Sequence, residues 1–144
     1  MRILVTGAGG LVGSALVRSG AVSGLSRAQL DITDKSAVAH ALDTHRPDAI
    51  INAAAQAGVD KADRESEWTF KVNSTAPKMM AKLARERGVR LVHLSTDYVL
   101  DAPTRERIPE TVVPEPRSTY ARSKLEGEEA VLTAGSTVVR LQWV

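Results

Sequence analysis

Apolar and polar residues alternate along the chain with two different periods. Short apolar runs, typical of buried strands, lie at 2–6, 21–27, 48–54, Arg90–Thr96 and 137–144. Segments with helical spacing of apolar residues lie at Leu11–Arg18, 34–45, 63–88 and 118–132, with a break in the third near Val72 and Asn73. A stretch rich in proline and charge, 101–116, is predicted to be a loop. Regular alternation of strands and helices predicts parallel βαβ units, and right-handed crossovers favour a Rossmann-type, doubly wound sheet of five strands.

A glycine-rich turn follows the first predicted strand and opens the first predicted helix. Its glycines Gly7, Gly10 and Gly13 are spaced three apart. Glycine permits a tight turn, close approach of the backbone to a pyrophosphate, and close packing of the helix, whose N-terminus offers free N–H groups. Such turns also occur without a ligand, but the position at the first strand–helix junction favours dinucleotide binding. The residues predicted to bind the phosphates are Gly7, Gly9, Gly10, Leu11, Val12 and Gly13.

The end of the second predicted strand bears on the choice between NADP and NAD. An acid that reads the ribose 2′-hydroxyl of NAD is expected there, about 20 residues beyond the turn. Residues 24–27 are Gly-Leu-Ser-Arg and contain no acid. Unless Arg27 is only a solvated loop residue, Ser26 and Arg27 can bind a 2′-phosphate, which favours NADPH and leaves NADH open. Asp31 and Ile32 are expected to cover the adenine, with Asp31 accepting from its amino group.

Tyr120 and Lys124 are four residues apart at the start of a predicted helix, so their side chains share one face. An ammonium group lowers the pKa of a neighbouring phenol. We therefore expect Tyr120 to give a proton to a carbonyl oxygen as hydride reaches its carbon, and Lys124 also to hold the nicotinamide ribose. Isolated pairs of this kind are common on surfaces. The hydroxyls of Ser95 and Thr96, at the ligand-binding edge of the sheet, favour the catalytic interpretation.

The last predicted strand ends the chain without a following helix. Residues 137–144 are mostly apolar, and a long exposed apolar edge tends to pair with other chains. We therefore expect residues 1–144 to form one NAD(P)-binding Rossmann domain, the first half of a longer architecture whose substrate-binding domain is absent from this chain. The alternative is that a partner chain, such as a second copy in a homo-oligomer, covers this edge.

The composition narrows the class of protein. Hydrophobic residues make up 43% of the chain and charged residues 25%, as in soluble globular proteins. The net charge is only +2 and the basic residues are dispersed, so no nucleic-acid partner is expected. Cysteines are absent, and His40, His45 and His93 share no metal-binding spacing, so no metal is expected. Neither a signal peptide nor a membrane span is recognised, and we expect a cytoplasmic enzyme.

Several longer segments carry a family resemblance. They are the turn at 7–13 and the segments LDITD at 30–34, NAAA at 52–55, VDKA at 59–62, STDYV at 95–99 and YARSKLEGE at 120–128. With them the whole chain resembles extended short-chain dehydrogenase/reductases, and most of all the N-terminal half of dTDP-4-dehydrorhamnose reductases.

The resemblance implies a catalytic triad of Thr96, Tyr120 and Lys124. It also implies that Ala53, Ala54 and Ala55 contact the cofactor. The implied reaction is NADPH-dependent reduction of the 4-keto group of a dTDP-linked 6-deoxyhexose, as in the synthesis of dTDP-L-rhamnose. Related 4,6-dehydratases have a catalytic Glu at the position of Tyr98, which argues against dehydration.

Two other functions stay open. An NDP-sugar epimerase of the same superfamily uses the same Tyr and Lys but keeps NAD bound, and the missing acid at Ser26 counts against it. A non-catalytic NADP-binding regulatory subunit would bind the cofactor without turnover and would form a stable complex with a partner protein.

Overall fold

The computed structural model describes residues 1–20, 22–100 and 108–142. Its five strands are β1 (Ile3–Thr6), β2 (Ser23–Leu25), β3 (Ala49–Asn52), β4 (Arg90–Thr96) and β5 (Thr137–Leu141). They form one parallel sheet in the order β2-β1-β3-β4-β5. This confirms the predicted five-stranded, doubly wound sheet of Rossmann type. Parts of the second and fifth predicted strands, at 21 and 143–144, and residues 101–107 of the predicted loop lie outside the described residues.

In the part of the chain that the structure describes, six α-helices and two short turns of other helix types connect the strands. The α-helices are α1 (Leu11–Arg18), α2 (Lys35–His45), α3 (Val59–Arg64), α4 (Ser66–Phe70), α5 (Ala76–Glu86) and α6 (Thr119–Thr133). A π-helical turn spans Lys71–Thr75, and a 3₁₀ turn spans Asp97–Val99. Side-chain caps fix two of the starts. Asp34 accepts hydrogen bonds from the N–H groups of Ser36 and Ala37 before α2, and Ser118 accepts from Ala121 before α6.

The single helix predicted over 63–88 is divided. It consists of α3, α4, the π turn and α5, and it begins earlier than predicted, at Val59. The predicted break near Val72 and Asn73 falls within the π turn. Pro77, in the first turn of α5, lacks the N–H group that would bond to the carbonyl of Asn73. The Asn73 side chain holds the loop after β3. It accepts a hydrogen bond from the backbone N–H of Gln56 at 2.8 Å and donates one to the Gln56 C=O at 3.0 Å.

The direction of the chain across the sheet reverses at β1. The crossover from β1 to β2 runs to one side, and the crossovers from β2 onward run to the other. Right-handed connections therefore place α1 on one face and α2, α5 and α6 on the opposite face. The main core lies under that second group of helices, where Ile50 and Leu91 of the sheet pack with Met80, Ala81 and Ala84 of α5. Open α/β sheets bind ligands at such a reversal, outside the carboxyl ends of the strands.

Candidate active site and cofactor cleft

A cleft of about 400 Å³ lies at the carboxyl ends of β1, β2 and β3. The residues predicted to bind cofactor that line it are Gly7, Gly9, Gly10, Ser26, Arg27, Asp31, Ile32, Ala53, Ala54 and Ala55. Further lining residues, not predicted, are Ala28, Leu30, Thr33, Gln56, Trp68 and Val72. The structure thus brings most of the predicted cofactor contacts to one cleft, whereas Leu11, Val12, Gly13, Tyr120 and Lys124 are not among its lining residues. Another cleft, of about 310 Å³, lies at the amino ends of β1 and β2, away from the ligand-binding edge.

Gly7, Gly9 and Gly13 of the turn differ in the space that is available for a Cβ atom. Gly7 has a φ of +72°, and a Cβ there would lie 2.6 Å from the backbone nitrogen of Ala54. A Cβ on Gly13 would overlap the carbonyl oxygen of Gly7. In contrast, a Cβ on Gly9 would meet only the Cβ of Ser26, at 3.7 Å. Gly7 and Gly13 therefore allow the turn to pack, and Gly9 leaves the cleft open above it.

The helix α1 begins directly after Gly10, which lines the cleft. Gly10 is the N-cap residue and provides no side-chain hydrogen bond. The first N–H groups of a helix have no acceptor within the helix. The amides of Leu11, Val12 and Gly13 can therefore contact a phosphate, although these residues do not line the cleft.

Trp68, which lines the cleft with Arg27, has two cations over its indole ring. The guanidinium carbon of Arg27 lies 5.6 Å from the centre of the Trp68 ring, and Nζ of Lys71 lies 5.5 Å from it. The backbone N–H and the hydroxyl of Ser26 both donate to Oε1 of Gln29, each at 2.9 Å. An anionic oxygen could accept hydrogen bonds from the same two groups.

Asp31 is held as a carboxylate. It accepts hydrogen bonds from the backbone N–H and the hydroxyl of Thr33, both at 2.8 Å. These two bonds, and then the charges of Arg27 and Lys71, lower the pKa of Asp31 below its ordinary value. Asp31 is therefore an acceptor at neutral pH, as its expected contact with an adenine amino group requires.

Thr96 and Tyr120 meet at the carboxyl end of β4. The Thr96 hydroxyl donates to Oδ1 of Asp97 at 3.2 Å and is close enough to the Tyr120 phenol to lower its pKa. The rings of Tyr98 and Tyr120 pack edge to face with their centres 6.1 Å apart. Burial raises the pKa of Tyr120, the nearby Thr96 hydroxyl lowers it by less, and the neighbouring Tyr98 and Asp97 add to the rise. The expectation that Lys124 lowers the pKa of this phenol is wrong for this structure.

The reason lies in where the Lys124 side chain goes. Lys124 is only 2% exposed, and its Nζ donates to the backbone oxygen of Leu94 at 2.7 Å and lies 3.4 Å from Nε2 of His93. Burial lowers the pKa of Lys124 to about 8, although the Glu128 carboxylate favours the charged form. The ammonium is thus directed toward β4, and it is not among the groups that shift the pKa of Tyr120.

A buried polar network beneath the site was not predicted from the sequence. The Nδ2 group of Asn52 lies 3.0 Å from Nδ1 of His93, and Oδ1 of Asn52 accepts from the Thr6 hydroxyl at 2.7 Å and from the Ala54 N–H at 3.2 Å. His93 is fully buried, and desolvation, followed by the charge of Lys124, lowers its pKa to about 3. The sequence offered one signal for this network: His93 is a polar residue at an inward position of a predicted buried strand.

Three further contacts fix α6. Glu128 is paired with Arg140 of β5 through three hydrogen bonds of 2.7 to 3.1 Å. A Cβ on Gly127 would overlap the Asn73 carbonyl, and Asn73 also donates to the Ser123 hydroxyl at 3.0 Å. These contacts hold the helix that carries Tyr120 and Lys124 against the π turn and the sheet.

Over the described ranges 1–20, 22–100 and 108–142, no group of three or more His, Asp or Glu side chains could hold a metal ion. In the same part of the chain, no helix is both long enough and apolar enough to cross a bilayer.

Comparison with known proteins places this site in a family. A relative from Streptomyces antibioticus named probable dTDP-4,6-dihydroxy-2-methyloxan-3-one 4-ketoreductase is 43% identical, and the match covers 100% of this chain and 52% of that protein. The dTDP-4-dehydrorhamnose reductase of Mycobacterium tuberculosis is 40% identical over 99% of this chain and 50% of its own length. The crystal structure of dTDP-4-dehydrorhamnose reductase from Bacillus anthracis, in complex with NADP, is 31% identical with a TM-score of 0.91, covering 99% of this chain and 53% of that one.

The chain spans about half the length of the relatives it matches. The family profile described as the RmlD substrate binding domain matches residues 1–144, that is, the whole of this chain. The chain therefore belongs to the RmlD substrate binding domain family.

Proposed function

We propose that residues 1–144 form the NADPH-binding domain of a reductase that converts the 4-keto group of a dTDP-linked 6-deoxyhexose to a hydroxyl. The observation that carries the proposal is the position of Tyr120 beside Thr96 and Tyr98 at the carboxyl end of β4. This is the same sheet edge as the glycine-lined cleft, where Arg27 and Lys71 lie over the lining residue Trp68. The named relatives with matching chains are reductases of dTDP-linked keto-sugars. The residues that read the sugar are proposed to lie in the half of the relatives' length that this chain does not span.

The residues present suit a phosphorylated dinucleotide. The space above Gly9 and the first-turn amides of α1 would hold the pyrophosphate. Asp31 would accept from the adenine amino group. Ser26, Arg27 and Lys71 would bind the 2′-phosphate. Residues 24–27, at the end of β2, contain no acid that would repel it. The Bacillus anthracis relative binds NADP.

The reaction needs one hydride and one proton. When bound, NADPH supplies the hydride to the carbonyl carbon. Tyr120 gives its phenolic proton to the carbonyl oxygen, so the ketone becomes an alcohol and Tyr120 is left as a phenolate until a proton returns. The raised pKa of Tyr120 keeps the phenol protonated at neutral pH, as a proton donor must be. Thr96 would donate to the same carbonyl oxygen and hold it near the phenol.

Cofactor selectivity tests the binding half of the proposal. Arg27→Ala should weaken NADPH binding and spare NADH, because only NADPH has the 2′-phosphate. A hydrogen bond to a charged group contributes about 1.5–3 kcal/mol. Titration of the chain with each cofactor, followed by tryptophan fluorescence, measures both affinities. Equal weakening for the two cofactors would remove Arg27 from the 2′-phosphate site.

Turnover tests the catalytic half. In an active protein that contains this chain, Tyr120→Phe should reduce keto-sugar reduction by about 10²–10⁴-fold and leave NADPH affinity nearly unchanged. Near-normal turnover would exclude Tyr120 as the proton donor.

Two alternatives make different predictions. An epimerase would retain NAD through purification and would show no net oxidation of NADPH. A regulatory subunit would bind NADP, would fail to reduce keto-sugars, and would co-purify with a partner protein. Ser26, where an acid would favour NAD, supports the reductase over the epimerase.

A further inference from the structure

We propose that His93 is a positioning residue for Lys124: held in its Nε2–H tautomer by Asn52, it directs a hydrogen-bond donor at Nζ and so favours the uncharged amine. The argument starts from one backbone group. The Ala54 N–H can only donate, and it donates to Oδ1 of Asn52 at 3.2 Å. This bond fixes the amide, so that its NH₂ group faces His93.

The orientation of Asn52 determines the tautomer of His93. An amide NH₂ has no acceptor, so Nδ1 of His93, 3.0 Å away, must be the unprotonated nitrogen. A neutral imidazole then carries its proton on Nε2. The imidazolium is disfavoured on the same grounds, because its Nδ1–H would face the Asn52 NH₂. Burial and the charge of Lys124 also hold the pKa of His93 far below its ordinary value.

The consequence falls on Lys124. Its Nζ lies 3.4 Å from the protonated Nε2 and donates to the Leu94 oxygen at 2.7 Å. An ammonium group has three donors and no lone pair, so it would face Nε2–H donor to donor. An amine can accept from Nε2–H and still donate to Leu94. His93 therefore adds to burial in lowering the pKa of Lys124.

Other charges near Lys124 act in the opposite sense or are neutralised. Among the described titratable groups, Glu128 on the same helix favours the ammonium. Its carboxylate is engaged by Arg140 of β5 through three hydrogen bonds. On β4, the group that faces Nζ besides His93 is the neutral Leu94 carbonyl.

The catalytic role that we infer for this arrangement rests on the proposed function. Tyr120 must regain a proton after each reduction, and an amine that titrates close to neutral pH can pass protons in either direction. The tautomer of His93 and the titration of Lys124 can be measured without cofactor or substrate. A failure of the proposed function is therefore distinguishable from a failure of this inference.

The first test is the tautomer. Long-range ¹H–¹⁵N correlation spectra of the chain with ¹⁵N-labelled histidine show which ring nitrogen carries the proton. His40 and His45 are exposed and serve as internal references. We expect the Nε2–H tautomer for His93 at neutral pH. The Nδ1–H tautomer, or an imidazolium, would overturn the inference.

The second test is the titration of Lys124, followed by NMR with labelled lysine. His93→Gln lets an amide oxygen face Nζ, so we expect the midpoint to rise by one unit or more, a tenfold or greater change in the ratio of ammonium to amine. The matched control is Thr6→Val, which removes another hydrogen bond to Asn52 but leaves the Ala54 contact, and should not move the midpoint.

An unchanged Lys124 midpoint in His93→Gln, with only a loss of stability, would show that His93 is merely structural. An equal shift in Thr6→Val would also overturn the inference, because the effect would then be a general response to disturbing the network. If His93→Gln does not fold, the tautomer in the unaltered chain decides.

Discussion

The two ends of the candidate site are formed by different parts of the protein: backbone atoms at one end and buried side chains at the other. At the glycine-rich turn, backbone atoms form the surface, and the cations beyond it, Arg27 and Lys71, are exposed. At α6, the charged side chains of the buried network are nearly inaccessible, with Lys124 2% exposed and Glu128 1%. A ligand at the first end meets preformed space, whereas chemistry at the second depends on which buried groups carry protons.

The difference determines what a substitution does at each end. Adding atoms at the turn is a question of volume, since the backbone cannot move far without breaking the sheet edge. Changing a group in the buried network is a question of charge and hydrogen bonding, because a buried donor or acceptor left without a partner is costly. The two ends can therefore be separated experimentally by substitutions that change only volume or only protonation.

The largest expected effect contrasts two glycines of the same turn. Gly7→Ala forces a positive φ on a residue with a Cβ and pushes that Cβ to 2.6 Å from the backbone of Ala54. We expect a loss of about 5 kcal/mol in the free energy of unfolding, enough to unfold a domain of ordinary stability. Chemical denaturation followed by circular dichroism measures it.

Gly9→Ala is the matched control. Its Cβ has an ordinary contact with Ser26, so stability should change by less than about 1 kcal/mol while NADPH binding falls, because the methyl group occupies the cleft. If Gly9→Ala unfolds the chain and Gly7→Ala does not, the assignment of roles within the turn is reversed.

The same contrast explains what could be predicted from the sequence. The turn and the capped helix starts were predictable because their signals are local: glycine spacing, or an Asp or Ser before a helical pattern. The network was not, because Asn52 and His93 are 41 residues apart and His93 and Lys124 are 31 apart. Periodicity places a side chain on a face of a strand but does not identify its partner. The sequence therefore did not show that Lys124 contacts β4, and the raised pKa of Tyr120 was not predicted.

The next effect belongs to the buried end. His93 has a pKa of about 3 in the folded chain against an ordinary value of 6.5. Between these values the unfolded chain binds a proton at His93 that the folded chain does not, so the free energy of unfolding falls as the pH falls. Between pH 6.5 and 4.5 the loss should be about 2–3 kcal/mol.

Urea denaturation across this window measures the slope, and His93→Gln should abolish it. The carboxyls of Asp31, Asp43 and Asp48 also have lowered pKa values, and they too stabilise less as the pH falls, but only from near their ordinary value of 3.8 downward. A slope that persists in His93→Gln above pH 4.5 would assign the effect to other groups.

The smallest expected effect returns to the open end and concerns the second cation. Lys71 lies over Trp68 with Arg27 and is exposed, so a 2′-phosphate at this end of the cleft would meet it through solvent-screened charge. Lys71→Ala should weaken NADPH binding by about 0.5–1 kcal/mol, leave NADH unaffected, and lose its effect in high salt. Lys78→Ala removes an exposed positive charge from α5 and is the control, which should leave the preference for NADPH unchanged. If both variants reduce NADPH affinity equally, the preference comes from the overall charge of the chain, and the Trp68 cluster has no special part in it.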